Sequence, residues 1–134
     1  MAGNRFYTVS DCCKGYYAIE MEDESKDYSS FVTHRGQHRW TVMPFGLVNS
    51  SASYSRMMLK VLEGATQMSS FVDDVICYTT DFESHVNRVE ELFARMRKAN
   101  VVLKPTKTKL GFTKIEFLGH TISENRMGTA SSNV

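Results

Sequence analysis

Residues 71–78 read Phe-Val-Asp-Asp-Val-Ile-Cys-Tyr, so two adjacent acids stand in the middle of an apolar run. Neighbouring carboxylates repel each other unless water or a cation relieves the repulsion, whereas the flanking apolar side chains favour burial. A tight turn satisfies both demands, because its two arms pack as strands while Asp73 and Asp74 emerge at the tip. The stretch therefore predicts a β-hairpin that ends in two carboxylates.

A third acid, Asp11, directly follows another predicted strand, residues 5–10. At the end of a neighbouring strand, its carboxylate could project at the same edge of the sheet as Asp73 and Asp74. Three carboxylates form an oxygen-rich site for Mg²⁺, and two such ions roughly 3.5–4 Å apart catalyse phosphoryl transfer. Turns also favour Asp for structural reasons, and Asp11 could merely cap the next segment. Spacing alone leaves both interpretations open.

The remaining segments predict a mixed architecture. Apolar residues recur at helical spacing in residues 49–62 and 83–99, and Asp81 is placed to cap the second helix. Short apolar segments predict strands at residues 31–33, 39–43, 101–103, 110–112 and 115–122, with residues 16–21 extended or mixed. The first two of these strands are expected to pair as a hairpin. The order of elements predicts an α+β fold, an antiparallel sheet with two helices on one face.

Composition narrows the class of protein. A chain of 134 residues that is 42% hydrophobic is one domain with a core, and its apolar runs are shorter than the ~20 residues of a membrane span. The odd number of cysteines predicts reduced thiols in an intracellular protein. The histidines are expected in surface loops: His34, His38, His85 and His120.

Charge is unevenly distributed along the chain, although the net charge is only +1. Residues 98–120 contain five lysines and one acid, which gives 5 − 1 = +4. A solvated face is the simplest interpretation of such a run. A surface that contacts phosphates is the alternative.

Several motifs occur together in one order. They are Phe-Tyr-Thr-Val-Ser-Asp-Cys-Cys-Lys-Gly-Tyr-Tyr-Ala-Ile at residues 6–19, Val-Met-Pro-Phe-Gly-Leu-Val-Asn at 42–49, Phe-Val-Asp-Asp at 71–74, a lysine-rich segment at 104–109 and Phe-Leu-Gly-His at 117–120. Together they resemble the reverse transcriptases of gypsy-type LTR retrotransposons, over nearly the whole chain. The resemblance implies a polymerase palm with part of the fingers. It implies one incomplete domain, residues 1–134, with a frayed tail at 124–134.

The resemblance also implies an RNA-directed DNA polymerase and assigns roles. Asp11, Asp73 and Asp74 would be the catalytic carboxylates and would bind two Mg²⁺ ions, or Mn²⁺ in their place. Tyr16 would stack under the incoming sugar and exclude a 2′-hydroxyl. Further nucleotide contacts are implied at Cys12, Cys13, Phe45 and Gly46, and primer-grip or nucleic-acid contacts at Lys104, Lys107, Lys109, Phe117, Leu118, Gly119 and His120.

The implied partners are an RNA or DNA template with its primer, deoxynucleoside triphosphates and the remaining domains of a Pol polyprotein. No membrane partner is implied. The expected location is the cytoplasm or a virus-like particle.

The chain departs from the usual family pattern in several places. Phe71 stands where Tyr is usual, and residues 28–31 read Tyr-Ser-Ser-Phe instead of Lys-Thr-Ala-Phe. Residues 50–55 read Ser-Ser-Ala-Ser-Tyr-Ser instead of Ala-Pro-Ala-x-Phe-Gln, and the segment at 65–70 is short and polar for a central strand.

These departures motivate an alternative, a catalytically inactive retroelement remnant that binds nucleic acid weakly or serves as an interaction module. An RNA-dependent RNA polymerase fits less well. The aspartate box of that class usually begins with Gly, and Phe-Leu-Gly-His is not expected there.

Overall fold

The computed structural model of the chain describes residues 3–13 and 15–129. Its strands are β1 (Phe6–Cys13), β2 (Phe31–Thr33), β3 (Gly36–His38), β4 (Met68–Phe71), β5 (Asp74–Thr79), β6 (Val102–Leu103), β7 (Lys109–Phe112), β8 (Lys114–Phe117), β9 (His120–Ser123) and β10 (Met127–Thr129). Its α-helices are α1 (Asp23–Lys26), α2 (Ser50–Val61) and α3 (Phe82–Lys98), and 3₁₀ turns cover Gly15–Ala18, Asp27–Ser29 and Pro105–Lys107. The predicted α+β class is confirmed.

The central sheet is built around β1. One side of β1 pairs antiparallel with β5 along six consecutive residue pairs. The other side pairs with β7 near the start of β1 and with β6 at its end, so these two short strands share one edge. β4 pairs with β5 and lies at the border of the strand order. Ser69 and Ser70 therefore occupy an edge strand, where polar side chains are easily accommodated.

Helices α2 and α3 pack on one face of this sheet. Because side chains alternate along a strand, Val75 and Cys77 of β5 point to the same face, and both are fully buried there. Their cluster also contains Cys12, Tyr54, Met58, Leu92 and Met96. Burial of each large apolar side chain contributes roughly 1.5–3 kcal/mol. The predicted placement of two helices on one face is confirmed.

Helix α3 starts as the sequence predicts. The Asp81 carboxylate accepts a hydrogen bond from the Ser84 backbone N–H at 2.8 Å, which satisfies a free donor of the first turn. Farther along, Arg95 and Glu91 form the expected i,i+4 ion pair at 2.8 Å.

A second, three-stranded sheet covers the opposite face of the central sheet. Its order is β10-β9-β8. Ile76, which lies between Val75 and Cys77 and so points the other way, packs against the small sheet through Ile115, Phe117 and Ile122, together with Tyr7 of β1. The predicted tail, residues 124–134, includes β10, and residues 130–134 lie outside the described part.

Local pairing differs from the prediction in two places. Strand β2 pairs with Gly36–His38 and not with residues 39–43. Residues 41–43 instead pair with residues 19–21, through Met21 N–H to Thr41 O at 2.9 Å and Met43 N–H to Ile19 O at 2.8 Å. A two-residue connection between Thr33 and Gly36 closes the first hairpin, which leaves residues 39–43 free to find another partner.

The predicted strand at residues 115–122 is also divided. Leu118 and Gly119 both have positive φ, 53° and 75°. Two consecutive residues with positive φ define the turn whose twist suits an antiparallel hairpin. The segment therefore folds back on itself as β8 and β9, with Phe117 opposite His120.

All three cysteines are free thiols, and Cys12 and Cys77 are buried. Among the described residues, no helix has both the length and the apolar character that a membrane crossing requires.

His85 was expected in a surface loop, and this prediction is wrong. His85 lies in the first turn of α3 with only 3% of its surface exposed. Its Nδ1 lies 3.0 Å from Thr79 Oγ1, and its Nε2 lies 2.7 Å from Thr8 Oγ1. Thr79 donates to the Asp81 carbonyl, and Thr8 accepts from the Gly111 N–H. Because the Thr79 hydroxyl hydrogen is already used, Thr79 accepts from the ring at Nδ1, and the Thr8 hydroxyl can donate to Nε2, so the network accommodates a neutral imidazole.

The buried imidazole predicts acid sensitivity. Burial lowers the pKa of His85 below its usual value. The unfolded chain therefore binds this proton first, and the contribution of His85 to stability is complete above about pH 6.5. It is lost as the pH falls from there through the folded-state value.

We expect the free energy of unfolding, measured in urea from pH 7.5 to 5.0, to decline more steeply in the unsubstituted chain than in His85→Asn. The matched control is His34→Gln, at an exposed position, which should leave the slope unchanged. Equal slopes for His85→Asn and the unsubstituted chain would contradict the assignment.

Candidate active site

Two of the predicted site carboxylates lie directly opposite each other. Asp11 pairs with Asp74 in the register of β1 and β5. Residues directly opposite each other in an antiparallel pair point to the same face, with Cβ atoms about 4.5–5.5 Å apart. Alternation along the strands places both acids on the face that carries Tyr7 and Ile76, away from helices α2 and α3. The sheet itself thus fixes the relative position of the two carboxylates.

The third acid, Asp73, lies in the turn between β4 and β5. Val72 has a φ of 50°, which is unusual for a β-branched residue and marks a tightly constrained turn. The Cys12 backbone N–H donates to the Asp73 carbonyl at 2.6 Å and ties the turn to the end of β1. The turn at residues 72–73 therefore holds Asp73 beside the Asp11–Asp74 pair.

Two lysines approach Asp11 from the opposite edge of β1. The Lys104 and Lys107 ammonium groups lie 3.5 Å and 3.2 Å from Asp11 Oδ2. The Lys104 backbone N–H also donates to the Asp11 carbonyl at 2.8 Å. Both lysines belong to the connection between β6 and β7, which the 3₁₀ turn Pro105–Lys107 shapes. Because both strands pair with β1, this connection must pass close to Asp11.

Electrostatics within the group favour an added cation. Burial raises the pKa of Asp73, the charge of Asp11 raises it further, and Lys104 opposes the shift. Burial likewise raises the pKa of Asp74, with additional contributions from Asp11 and Asp73, and Lys107 opposes it. The negative charges therefore destabilise one another, and the lysines relieve part of that repulsion.

The donor chemistry of the group suits a hard divalent cation. Three carboxylates offer the oxygen ligands that Mg²⁺ prefers. The ammonium groups of Lys104 and Lys107 already place positive charge beside the Asp11 carboxylate. As the side chains stand, no set of three His, Cys, Asp or Glu residues in the described part is arranged as a ready metal site. Asp11 Oδ2 faces the lysines, so a shared ion would require this oxygen to exchange partners.

An aromatic wall lies beside the end of β1. The Tyr16 ring centroid lies 4.8 Å from that of Phe45 and 5.2 Å from that of Tyr54, with Tyr54 in an edge-to-face arrangement. The Tyr16 hydroxyl lies 3.0 Å from Ser51 Oγ. Gly46, with a φ of 91°, follows Phe45 in the connecting loop. The structure thus brings together Tyr16, Phe45 and Gly46, which the sequence interpretation had placed around a nucleotide.

Comparison with known proteins identifies the family. The sequence model described as "Reverse transcriptase (RNA-dependent DNA polymerase)" matches residues 1–122. The chain belongs to this reverse transcriptase family. It is 31% identical over 121 residues to the retrovirus-related Pol polyprotein from transposon 297 of Drosophila melanogaster, a match that covers 89% of this chain and 11% of the relative. It is 29% identical over 120 residues to Polyprotein P3 of Commelina yellow mottle virus, covering 89% of this chain and 6% of the relative.

A solved structure shares the fold of this reverse transcriptase domain. The foamy viral protease-reverse transcriptase in complex with an RNA/DNA hybrid superposes with a TM-score of 0.89 at 24% identity, covering 98% of this chain and 18% of that one. The prediction of a reverse transcriptase domain related to retroelement Pol polyproteins is confirmed. The chain spans a small part of the length of the curated relatives that it matches.

The predicted primer-grip residues of the reverse transcriptase domain lie apart from the carboxylates. Phe117, Leu118, Gly119 and His120 form the turn between β8 and β9. Phe117 packs with Tyr7, which lies four residues before Asp11 on β1. At about 3.3 Å per residue the separation along the strand is about 13 Å, on the same face of the sheet.

Other predicted site residues occupy separate environments. The Cys12 side chain is buried with the helices, and burial raises the pKa of its thiol. Cys13 pairs with Val102 of β6. Lys109 lies exposed at the start of β7. Of the three lysines expected to contact phosphate, Lys104 and Lys107 lie beside Asp11.

The sequence interpretation did not single out Ser51, although its hydroxyl contacts Tyr16. The signal was present as a departure from the usual Pro at this position. A proline has no hydroxyl and cannot make this contact. A hydroxyl in the first turn of a helix more often suggests capping, so its partner was not evident.

Proposed function

We propose that this chain is the palm region of a gypsy-type RNA-directed DNA polymerase. Asp11, Asp73 and Asp74 are its catalytic carboxylates. The observation that carries the proposal is the direct pairing of Asp11 with Asp74, with Asp73 tied to the end of β1 beside them. Family membership supplies the class of reaction, and this geometry supplies the residues.

The proposed reaction joins a deoxynucleotide to a primer. The primer 3′-oxygen forms a bond to the α-phosphorus, the bond from that phosphorus to the α,β-bridging oxygen breaks, and pyrophosphate departs while the hydroxyl proton is lost. Asp11, Asp73 and Asp74 would hold the divalent ions. When bound, Mg²⁺ would supply charge stabilisation to the entering and leaving oxygens. The repulsion among the three carboxylates favours that cation over an empty group.

The aromatic wall fits the nucleotide side of this proposal. The largely buried Tyr16 ring packs against the exposed Phe45 ring, and in this proposal the sugar of the nucleotide lies between the carboxylates and Tyr16. In this position the Tyr16 ring would disfavour a 2′-hydroxyl. The foamy viral relative bound to an RNA/DNA hybrid supports an RNA or DNA template with its primer as the partner.

A primer-extension assay on poly(rA)·oligo(dT) with Mg²⁺ tests the proposal. We expect the unsubstituted chain to incorporate dTMP and the double variant Asp73→Asn plus Asp74→Asn to incorporate none. Equal incorporation by the two proteins would defeat the assignment of the site. Salt-sensitive RNA binding without incorporation by the unsubstituted chain would instead support the inactive remnant.

A further inference from the structure

We propose that Ser51 is a positioning residue for sugar discrimination, because its hydroxyl anchors the ring of Tyr16. The inference rests on the proposed function, in which Tyr16 faces the sugar of the incoming nucleotide. It assigns a task to a residue that departs from the usual family sequence at this position.

The first observation is the hydrogen bond itself. Tyr16 Oη and Ser51 Oγ lie 3.0 Å apart and join two segments that are 35 residues apart in sequence. Tyr16 belongs to the 3₁₀ turn Gly15–Ala18, which follows β1, and Ser51 lies in the first turn of α2. The bond thus links the segment that follows the carboxylate strand to the helix beneath the aromatic wall.

The second observation is that the two aromatic neighbours of the Tyr16 ring differ in how firmly they are held. On one side lies Tyr54, which has no exposed surface. A Cβ added at Gly15 would lie 2.5 Å from Tyr54 Oη, so Tyr54 has no room to move toward Gly15. On the other side lies Phe45, which is 55% exposed and can yield. The Ser51 hydroxyl is therefore the contact that keeps the Tyr16 ring from tilting toward Phe45.

The same helix start also anchors the loop that carries Phe45. The Ser50 hydroxyl donates to the Pro44 carbonyl at 3.2 Å. Two consecutive serines therefore fix the two aromatic residues, Ser50 through the backbone before Phe45 and Ser51 through the hydroxyl of Tyr16. The second of these serines replaces a proline in the usual pattern.

The expected consequence is selective for the sugar. If the Tyr16 ring loses its anchor, it gains room to tilt, and a 2′-hydroxyl meets less steric resistance. A deoxynucleotide has no 2′-hydroxyl to accommodate, so its affinity should change little. A neutral hydrogen bond of this kind biases an equilibrium by a factor of about 2–10, which sets the expected size of the effect.

The test compares dATP and ATP, which differ only at the 2′ position, by equilibrium dialysis against the full 134-residue chain in MgCl₂. We expect Ser51→Ala to narrow the preference for dATP by about 2–10-fold, mainly through tighter ATP binding. Ser51→Thr keeps a hydroxyl and should retain most of the preference. Ser55→Ala, at an exposed serine of the same helix, is the matched control and should leave the preference unchanged.

The outcomes separate this inference from the proposed function. An unchanged dATP-to-ATP ratio in Ser51→Ala, or an unsubstituted chain that binds both nucleotides equally or neither of them, overturns the role of Ser51. A chain that discriminates through Ser51 and yet extends no primer counts against the polymerase proposal alone. Circular dichroism of each variant verifies that the fold is retained.

Discussion

Asp11→Asn is expected to lower the rate of primer extension by about a thousandfold or more, because metal ions supply several kcal/mol of transition-state stabilisation. Asp11 is the carboxylate that acts on both of the others, since its charge raises the pKa of Asp73 and of Asp74. An amide in its place keeps the shape of the side chain but removes a charged ligand. Single-nucleotide incorporation rates under saturating Mg²⁺ provide the measurement.

The same substitution should have little effect on stability. Asn at position 11 loses the ion pairs with Lys104 and Lys107, which are partly exposed and contribute about 0–1 kcal/mol. It also relieves the repulsion on Asp73 and Asp74, so the two effects oppose each other and the Tm should stay within about 2 °C.

Asp27→Asn serves as the matched control for this prediction. Asp27 forms an exposed ion pair with Arg39, and its loss should leave incorporation unchanged. An Asp11→Asn protein that extends primers at the rate of the unsubstituted chain would remove this residue from the active site.

Gly15→Ala is expected to destabilise the chain by about 1–3 kcal/mol, the usual cost of overpacking. The added methyl group would lie 2.5 Å from Tyr54 Oη and Cε2 and 2.6 Å from Cζ. Tyr54 is a rigid ring with no exposed surface, so the strain must move the backbone of the turn or the ring of Tyr16. Urea denaturation followed by circular dichroism measures the loss.

A second substitution tests the cause. The Tyr54 hydroxyl is buried, and among the described residues it forms no hydrogen bond of good geometry, although the Cys12 thiol lies close to it. Burial is the main cause that raises the pKa of Tyr54, and the Cys12 thiol raises it further. Tyr54→Phe removes both this unsatisfied group and one of the close contacts. It should therefore recover part of the stability that Gly15→Ala loses.

Gly128→Ala is the matched control for Gly15→Ala. An added Cβ at Gly128 meets no atom within 4 Å, so its effect should stay within about 0.5 kcal/mol. If Gly15→Ala were as harmless as Gly128→Ala, the close packing against Tyr54 would not be present in solution.

The sequence predicted those parts of the fold that depend on local pattern. Helices α2 and α3 follow from apolar residues at helical spacing, and Asp81 follows from capping chemistry. The turn at residues 72–73 follows from a conflict between charge and burial within a few residues. In each case the deciding interactions lie close together in the chain, so single-sequence reasoning can find them.

Features that depend on distant partners were not predicted. His85 is buried because Thr8, 77 residues away, supplies a hydroxyl for its ring. Lys104 and Lys107 reach Asp11 because β6 and β7 share one edge of β1, a topology that charge spacing does not reveal. The hydroxyl of Ser51 finds Tyr16 across 35 residues. The sequence shows that these side chains are present, but it does not show which distant residues they contact.

The pairing of Asp11 with Asp74 has a consequence for how this region can vary between related genes. The two acids share a face only because six consecutive residue pairs of β1 and β5 stay in step. A single insertion or deletion between Asp74 and Thr79 would send one carboxylate to the helix side of the sheet. The lengths of β1 and β5 are therefore more tightly constrained than most of their side chains. Insertions or deletions of a single residue within these two strands should be absent from active relatives.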